Sequence, residues 1–152
     1  MLRTAADIVS EFSLPKCIRC GVCDGVCPSG RNGGIHPDAV VYGILDADPS
    51  SADVMQADVW KCLMCHRCSM NCPEGIDVAG AVRSLRYMST ASGNSPKRFK
   101  TASETLVKEG RAFPVNDIVN KKREMLGLKA IDEDNASAEE LRKIMARTGY
   151  NG

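Results

Sequence analysis

Eight cysteines carry the chemistry of this sequence, and all of them fall between Cys17 and Cys72 of its 152 residues. Cys17, Cys20, Cys23 and Cys27 recur 45 positions later as Cys62, Cys65, Cys68 and Cys72, and each set is closed by a proline, Pro28 or Pro73. Further on, Gly30 and Ile35 of the first copy answer to Gly75 and Ile76 of the second. The duplicated spacing is C-x2-C-x2-C-x3-C-P. Three thiolates spaced by two residues lie on one tight loop and can take three corners of an iron–sulfur cube. The fourth is carried off that loop, and the proline redirects the chain. Where this run occurs twice, the fourth thiolate serves the other cube. The spacing therefore predicts two [4Fe–4S] clusters, one held by Cys17, Cys20, Cys23 and Cys72, the other by Cys62, Cys65, Cys68 and Cys27. Such an exchange ties the two halves together, so losing the clusters should loosen the whole fold.

Other cofactors fit these residues less well. Zinc takes four tetrahedral thiolates, commonly as two separated C-x2-C pairs, whereas three cysteines crowd each loop here. A thioredoxin-like pair needs a strand–helix setting, which this sequence does not offer. The string Cys62-Leu63-Met64-Cys65-His66 matches c-type haem attachment, but haem there requires export and would strand Cys68 and Cys72. His66 is then expected on the exposed side of its loop, with tuning of a cluster potential by a nearby charge as the sharper alternative. Arg19 and Arg67 pose the same choice. His36, just before Pro37, reads as a helix-capping residue, and Asp24, Glu74 and Asp77 as solvated or capping carboxylates. Ile18, Val22, Val26, Leu63, Met64 and Met70 are expected to shield the clusters from water. Gly21 and Gly25 would let backbone amides approach sulfide closely.

The elements that must position the cysteines are helical. Residues Thr4 to Phe12 place Ala5, Ile8, Val9 and Phe12 at helical spacing. A loop of turn formers, Ser29 to Gly34, leads to Pro37, which suits a first helical position, with Val40, Val41, Ile44 and Leu45 on one face. The stretch Asp48-Pro49-Ser50-Ser51 breaks that helix. A second, short helix capped by Ser51 or Asp53, with Val54, Met55 and Val59 inward, is predicted to run into Trp60 and the second set. Beyond Pro73, residues Val78, Ala81, Val82, Leu85 and Met88 form one stripe. Runs that alternate as half-buried strands do are scarce. Ser89 to Pro96 reads as a linker, followed by amphipathic pieces over Pro96 to Glu109, Asn116 to Leu126 and Ser137 to Thr148, the last opened by the capping box Ser137-Ala138-Glu139-Glu140. The expected organisation is an N-terminal helix over 1–13, a two-cluster domain over 14–90, and a helical tail over 91–152 suited to packing on the cysteine domain or to docking on another protein of a complex, the latter preferred.

Composition narrows the function. Net charge is +1, which gives no electrostatic case for nucleic acid. Residues 1–92 hold 8 basic and 10 acidic groups and residues 93–152 hold 12 and 9, so only the tail is mildly basic. No stretch approaches the ~20 apolar residues of a membrane span. The first residues lack a secretory pattern, so a cytoplasmic location is expected, where clustered cysteines mean metal or redox chemistry rather than disulfides. There is no phosphate-binding glycine loop, dinucleotide fingerprint or catalytic triad. Two cubane clusters without a bond-making site make an electron relay that catalyses nothing by itself.

The sets CIRCGVCDGVCP and CLMCHRCSMNCP, separated by a helical spacer, resemble the α-helical ferredoxin domain, also found in iron–sulfur subunits of succinate dehydrogenases and in glycolate-oxidase-like proteins. Within that group the chain is most similar to the C subunit of heterodisulfide reductase. The resemblance rests on the short leader before Cys17, the Gly34–Pro37 segment, the run from Pro73 to Asp77, and the helical tail. It implies a mostly α fold with two [4Fe–4S] clusters and carries the eight cysteines over as ligands. It further implies electron transfer between a flavin- and cluster-bearing A subunit and a catalytic, CCG-domain B subunit that reduces the coenzyme M–coenzyme B heterodisulfide. A hydrogenase or formate dehydrogenase is a further candidate in the larger complex. Succinate dehydrogenase subunits add a plant-type ferredoxin domain upstream, and glycolate-oxidase-like chains continue into a CCG domain. Neither pattern is present, so bond chemistry is left to a partner. The alternatives are a relay subunit of a related sulfur-metabolising or quinone-linked complex, and a cluster-based redox sensor.

Overall fold

The computed structural model describes residues 4–46, 59–131 and 135–148. Two units result, Met1–Ser95 and Pro96–Gly152. Among the described residues all regular structure is helical.

In the first unit, α1 (Ala5–Glu11) is opened by a full capping box: Thr4 Oγ1 accepts from the Asp7 amide at 3.2 Å, and the Thr4 amide donates to Asp7 Oδ2 at 2.6 Å. Its inward Ile8 is fully buried. A 3₁₀ turn, Leu14–Lys16, delivers Cys17 with Leu14 buried beneath it. One-turn helices α2 (Val22–Gly25) and α4 (Arg67–Met70) sit at corresponding places in the two cysteine sets and pack on each other. Between them α3 (Pro37–Asp46) buries Val40, Val41 and Ile44 of the face its spacing predicts, with Leu45 partly buried, and Pro37 is buried at its start. A further 3₁₀ turn, Val59–Lys61, delivers Cys62 as Leu14–Lys16 delivers Cys17, with Val59 fully buried. The short helix expected before it lies outside the described residues.

Helix α5 (Val78–Ala91) is the spine of the unit, burying Val78, Ala79, Ala81, Val82 and Leu85. It runs through Ser89, which is buried and accepts from the Trp60 indole at 3.4 Å. The expected linker therefore begins after Ala91, because the Ser89 hydroxyl is engaged inside the unit, accepting from Trp60 and donating to Asn94 O at 3.2 Å. The core joins these residues to Ile8, Leu14, Ile35, Val41 and Ile76, and it includes the buried Cys27 and Cys68. The cysteines are part of what the aliphatic side chains enclose, which compensates for a chain with only seven aromatic residues.

The second unit holds α6 (Lys97–Glu109), α7 (Asp117–Met125) and α8 (Asn135–Thr148), with α6 packed on α8. Asn116 caps α7 through the Val119 amide at 3.0 Å, and the Asn120 side chain both donates to Ile131 O at 3.1 Å and accepts from Ile131 N at 2.9 Å. Helix α8 starts two residues before the expected box, so Ser137 lies within its first turn and not at its cap. That turn packs on Gly110, where a Cβ would come within 2.7 Å of the Ala138 nitrogen, and Ala138 is fully buried.

Candidate metal centres

The two cysteine loops have the same backbone. Arg19 and Met64, each just before the second cysteine, are left-handed at φ 56° and 51°. Gly21 and His66, each just after it, are left-handed at φ 73° and 60° and open α2 and α4. Two reversals within three residues coil each loop tightly enough to turn three cysteines inward. Non-glycine residues rarely adopt this conformation, so its appearance at matching positions is duplication written in dihedral angles.

Each loop faces a cavity. The first is lined by Cys17, Cys20, Cys23 and Cys72, with Ile18, Val22, Val41, Tyr42, Glu74, Ile76 and Val78 among its walls. Cys27, Cys62, Cys65 and Cys68 line the second, with Leu63, Ile35, Pro37, His66, Arg67, Ala79 and Val82. The fourth cysteine of each set thus opens on the cavity of the other. All eight thiols are free, and one in each cavity, Cys20 or Cys65, is exposed.

Hydrogen bonds anchor this arrangement. The Gly30 amide donates to Cys27 Sγ at 3.3 Å and the Met64 amide to Cys62 Sγ at 3.4 Å. Ser29 Oγ donates to Lys61 O at 2.8 Å and accepts from Ile35 N at 3.3 Å, tying the first loop's exit to the second loop's start. Arg86 of α5 donates through Nε to Val59 O at 2.9 Å and through Nη2 to Cys62 O at 2.5 Å, and its guanidinium lies 5.3 Å from the Trp60 ring centroid. Asp77 accepts from the Gly80 amide at 2.9 Å and from Ser69 Oγ at 2.6 Å, capping α5 and holding α4 to it. Burial would raise the Asp77 carboxyl, but the Ser69 hydroxyl and Gly80 amide, helped by His66 and Arg83, hold it below the usual carboxylate range.

Several expectations from the sequence need correction. Ile18, Leu63 and Met70 are 61, 65 and 82% exposed, so they line or flank the openings and do not shield them; Val26 and Met64 are half-buried, and Val22 is exposed. His36 keeps its backbone at the start of α3, where its carbonyl receives the Val40 amide, but its ring pairs with Asp24 Oδ1 at 2.9 Å and caps nothing. Arg19 pairs with Asp46 and covers the Tyr42 ring, and its charge still reaches Cys17. Gly21 is needed for its φ. At Gly25 no chain atom would crowd a Cβ. His66 and Arg67 are exposed, and both line the second cavity. Arg86, Ser29 and Trp60 went unread as site residues. The available signals were the indole two positions before a cysteine set, and an arginine four positions after Val82 at the margin of the α5 stripe.

The donor set fits iron–sulfur clusters. Each cavity offers four unbridged thiols at one apolar hollow, the arrangement soft metal ions require. Burial, reinforced by the charge of Asp38, pushes the Cys23 thiol up to about 11, and burial raises Cys68 as well. These groups become thiolates by exchanging a proton for metal. No helix is long and apolar enough to cross a membrane among the described residues.

Comparison with known proteins agrees with the donor set. The 4Fe-4S dicluster domain family matches residues 13–76. The chain is 36% identical over 123 residues to the C subunit of the ferredoxin/F420H2-dependent CoB–CoM heterodisulfide reductase of Methanosarcina acetivorans, covering 80% of this chain and 74% of that one. It is 36% identical over 119 residues to the C subunit of the ferredoxin:CoB–CoM heterodisulfide reductase of Methanosarcina mazei, covering 78 and 72%. Against the C subunit of the H2:CoB–CoM heterodisulfide,ferredoxin reductase of Methanothermobacter marburgensis it is 29% identical over 145 residues, covering 91 and 77%.

Proposed function

Since the chain belongs to the family of heterodisulfide reductase C subunits, an iron–sulfur family with a role in electron transfer, we propose that it relays electrons one at a time between a flavin-containing A subunit and a catalytic, CCG-domain B subunit that reduces the CoM–CoB heterodisulfide. The carrying observation is the pair of four-cysteine cavities, each drawn from both sets. Cys17, Cys20, Cys23 and Cys72 hold one [4Fe–4S] cluster in this reading, and Cys62, Cys65, Cys68 and Cys27 the other. When bound, each cluster supplies a one-electron couple and no bond-making chemistry.

The chain's own residues do the rest. Aliphatic walls from α3 and α5 limit the water that must reorganise when charge arrives, and the Gly30 and Met64 amides offset negative charge on their sulfurs. Cys20 and Cys65 are exposed beside Ile18 and Leu63, so each centre meets the surface next to an apolar contact that a partner can cover. In the second unit Phe113, Met125 and Leu126 are 80, 85 and 76% exposed, which supports docking of the tail on a partner protein.

Anaerobic affinity purification followed by mass spectrometry of the bound proteins tests the assignment. Recovery of a flavoprotein with a CCG-domain protein is expected, and a hydrogenase or formate dehydrogenase recovered with them would be an outer donor. Quinone-linked or sulfur-enzyme partners would keep the relay but overturn the heterodisulfide assignment. The ligand exchange has its own test. Cys27→Ser is expected to remove the signal that Cys65→Ser removes, and loss of the Cys20→Ser signal in its place would refute it.

A further inference from the structure

The two centres are alike in backbone and in cysteine count, but the charges around them differ. The first cavity has Glu74 in its wall, and Asp38 acts directly on Cys23. Asp24, next to Cys23, pairs with His36, and the ligating atoms of Asp24, His36 and Asp38 lie within 4.8 Å of one another. The one arginine of that loop, Arg19, is paired with Asp46. The second cavity has His66 and Arg67 in its wall. Arg86 is bonded to the carbonyl of the ligand-bearing Cys62 itself, and its donors go to carbonyl oxygens and its face to Trp60 instead of to a carboxylate. Among the described residues, Asp77 is committed to Ser69 and Gly80 and faces His66 and Arg83.

Amides on sulfur follow the same division. Gly30 and Met64 donate to Cys27 and Cys62, and the Ser69 amide faces Cys68, whereas in the first centre the Asp24 amide faces Cys23. Cationic charge and amide donors favour the form of a cluster that carries one more electron, and carboxylates disfavour it. Several features oppose this, among them Arg31, which donates to Gly25 O of the first loop at 2.6 Å, and Arg19, whose charge reaches Cys17. Cys27 and Cys68 are the most buried ligands at 8 and 9%, and Ile35 O lies 3.6 Å from Cys27 Sγ. Burial separates the centres only slightly, since each has one exposed cysteine at its opening, while the charges differ in sign.

Resting on the cluster assignment above, we propose that Arg86 and Arg67 on one side, against Glu74 and Asp38 on the other, make the Cys27/Cys62/Cys65/Cys68 centre the higher in reduction potential, so that a single electron given to the protein settles there. The transfer is internal: the Cys17/Cys20/Cys23/Cys72 centre is oxidised by one electron and the other is reduced by one. Passage from the first centre to the second is downhill, and the exposed Cys65–Leu63 edge becomes the exit. Arg86 is a positioning residue that acts through the Cys62 peptide.

The experiment is an anaerobic redox titration of the purified full chain followed by electron paramagnetic resonance. The two signals are assigned by Cys20→Ser and Cys65→Ser, which do not depend on the exchanged fourth ligands. The Cys65-dependent signal is expected to appear at the higher potential. Arg86→Gln should shift it down with the other signal unmoved, and Arg86→Lys, which keeps the charge, should restore it. Glu74→Gln at the exposed wall should raise the Cys20-dependent signal and narrow the gap, and it carries the test if Arg86→Gln does not load. Equal or inverted order in the unsubstituted chain, or a gap that Glu74→Gln leaves unchanged, overturns the proposal. Failure of the cluster assignment looks different, because no pair of [4Fe–4S] signals would then exist to be ordered.

Discussion

At the residue scale the cysteine loops depend on backbone that only some side chains tolerate. Gly21 and His66 occupy the same left-handed place in the two copies. A β-branched residue is the most strained there, so Gly21→Val is expected to cost on the order of 1–2 kcal/mol and to lower iron content, measured as cluster absorbance per chain. His66→Gly removes a strained side chain from the matching position and is expected to load fully. The cysteine repeat was legible because spacing survives any change of environment. The reversals at Arg19 and Met64 were not, since neither residue type advertises a positive φ. Ile18, Leu63 and Met70 misled for a related reason. Hydrophobicity tells which way a side chain points only where the backbone has a period, and these sit in coiled loops where consecutive residues turn to unrelated directions.

At the element scale the helices followed their apolar stripes closely. Helices α1, α3 and α5 turn inward the faces the 3.6-residue period selects, with Ile8, Val40, Val41, Ile44, Val78, Ala81, Val82 and Leu85 buried and Val9, Phe12, Leu45 and Met88 partly buried against them. The misplaced ends have local causes: Ser89 is drawn inward by Trp60, and Ser137 is overtaken by the packing of α8 on Gly110. Asp77 joins two elements, since its carboxylate caps α5 and holds Ser69 of α4. Asp77→Ala should lose about 1 kcal/mol from the cap alone, with more from the released Ser69 hydroxyl. A lower temperature for the loss of cluster absorbance is the expected reading, and an unchanged one would show that the cap contributes nothing to holding the second loop.

At the scale of the whole molecule the chain divides its labour between units. Met1–Ser95 holds every cysteine, while among the described residues of Pro96–Gly152 only Ala138 is buried. Removing residues 96–152 is expected to leave iron content and both spectroscopic signals intact and to weaken retention of partner proteins in anaerobic pull-downs; full retention would end the docking role for the tail. Stripping iron with a chelator should raise amide exchange around both cysteine sets together, since the second set's cavity includes Cys27 and the first set's includes Cys72. The crossing of the fourth cysteines also sets a timetable for biosynthesis. While the ribosome is still adding residues 28–61, the emerging segment offers three cysteines for its own cavity and one for a cavity whose remainder has not been made. The Cys27 cavity is completed only when Cys68 is in place and the Cys17 cavity only at Cys72, so insertion of a finished cluster must await emergence of the second set, and a message cut short between the two sets yields a product with no complete site.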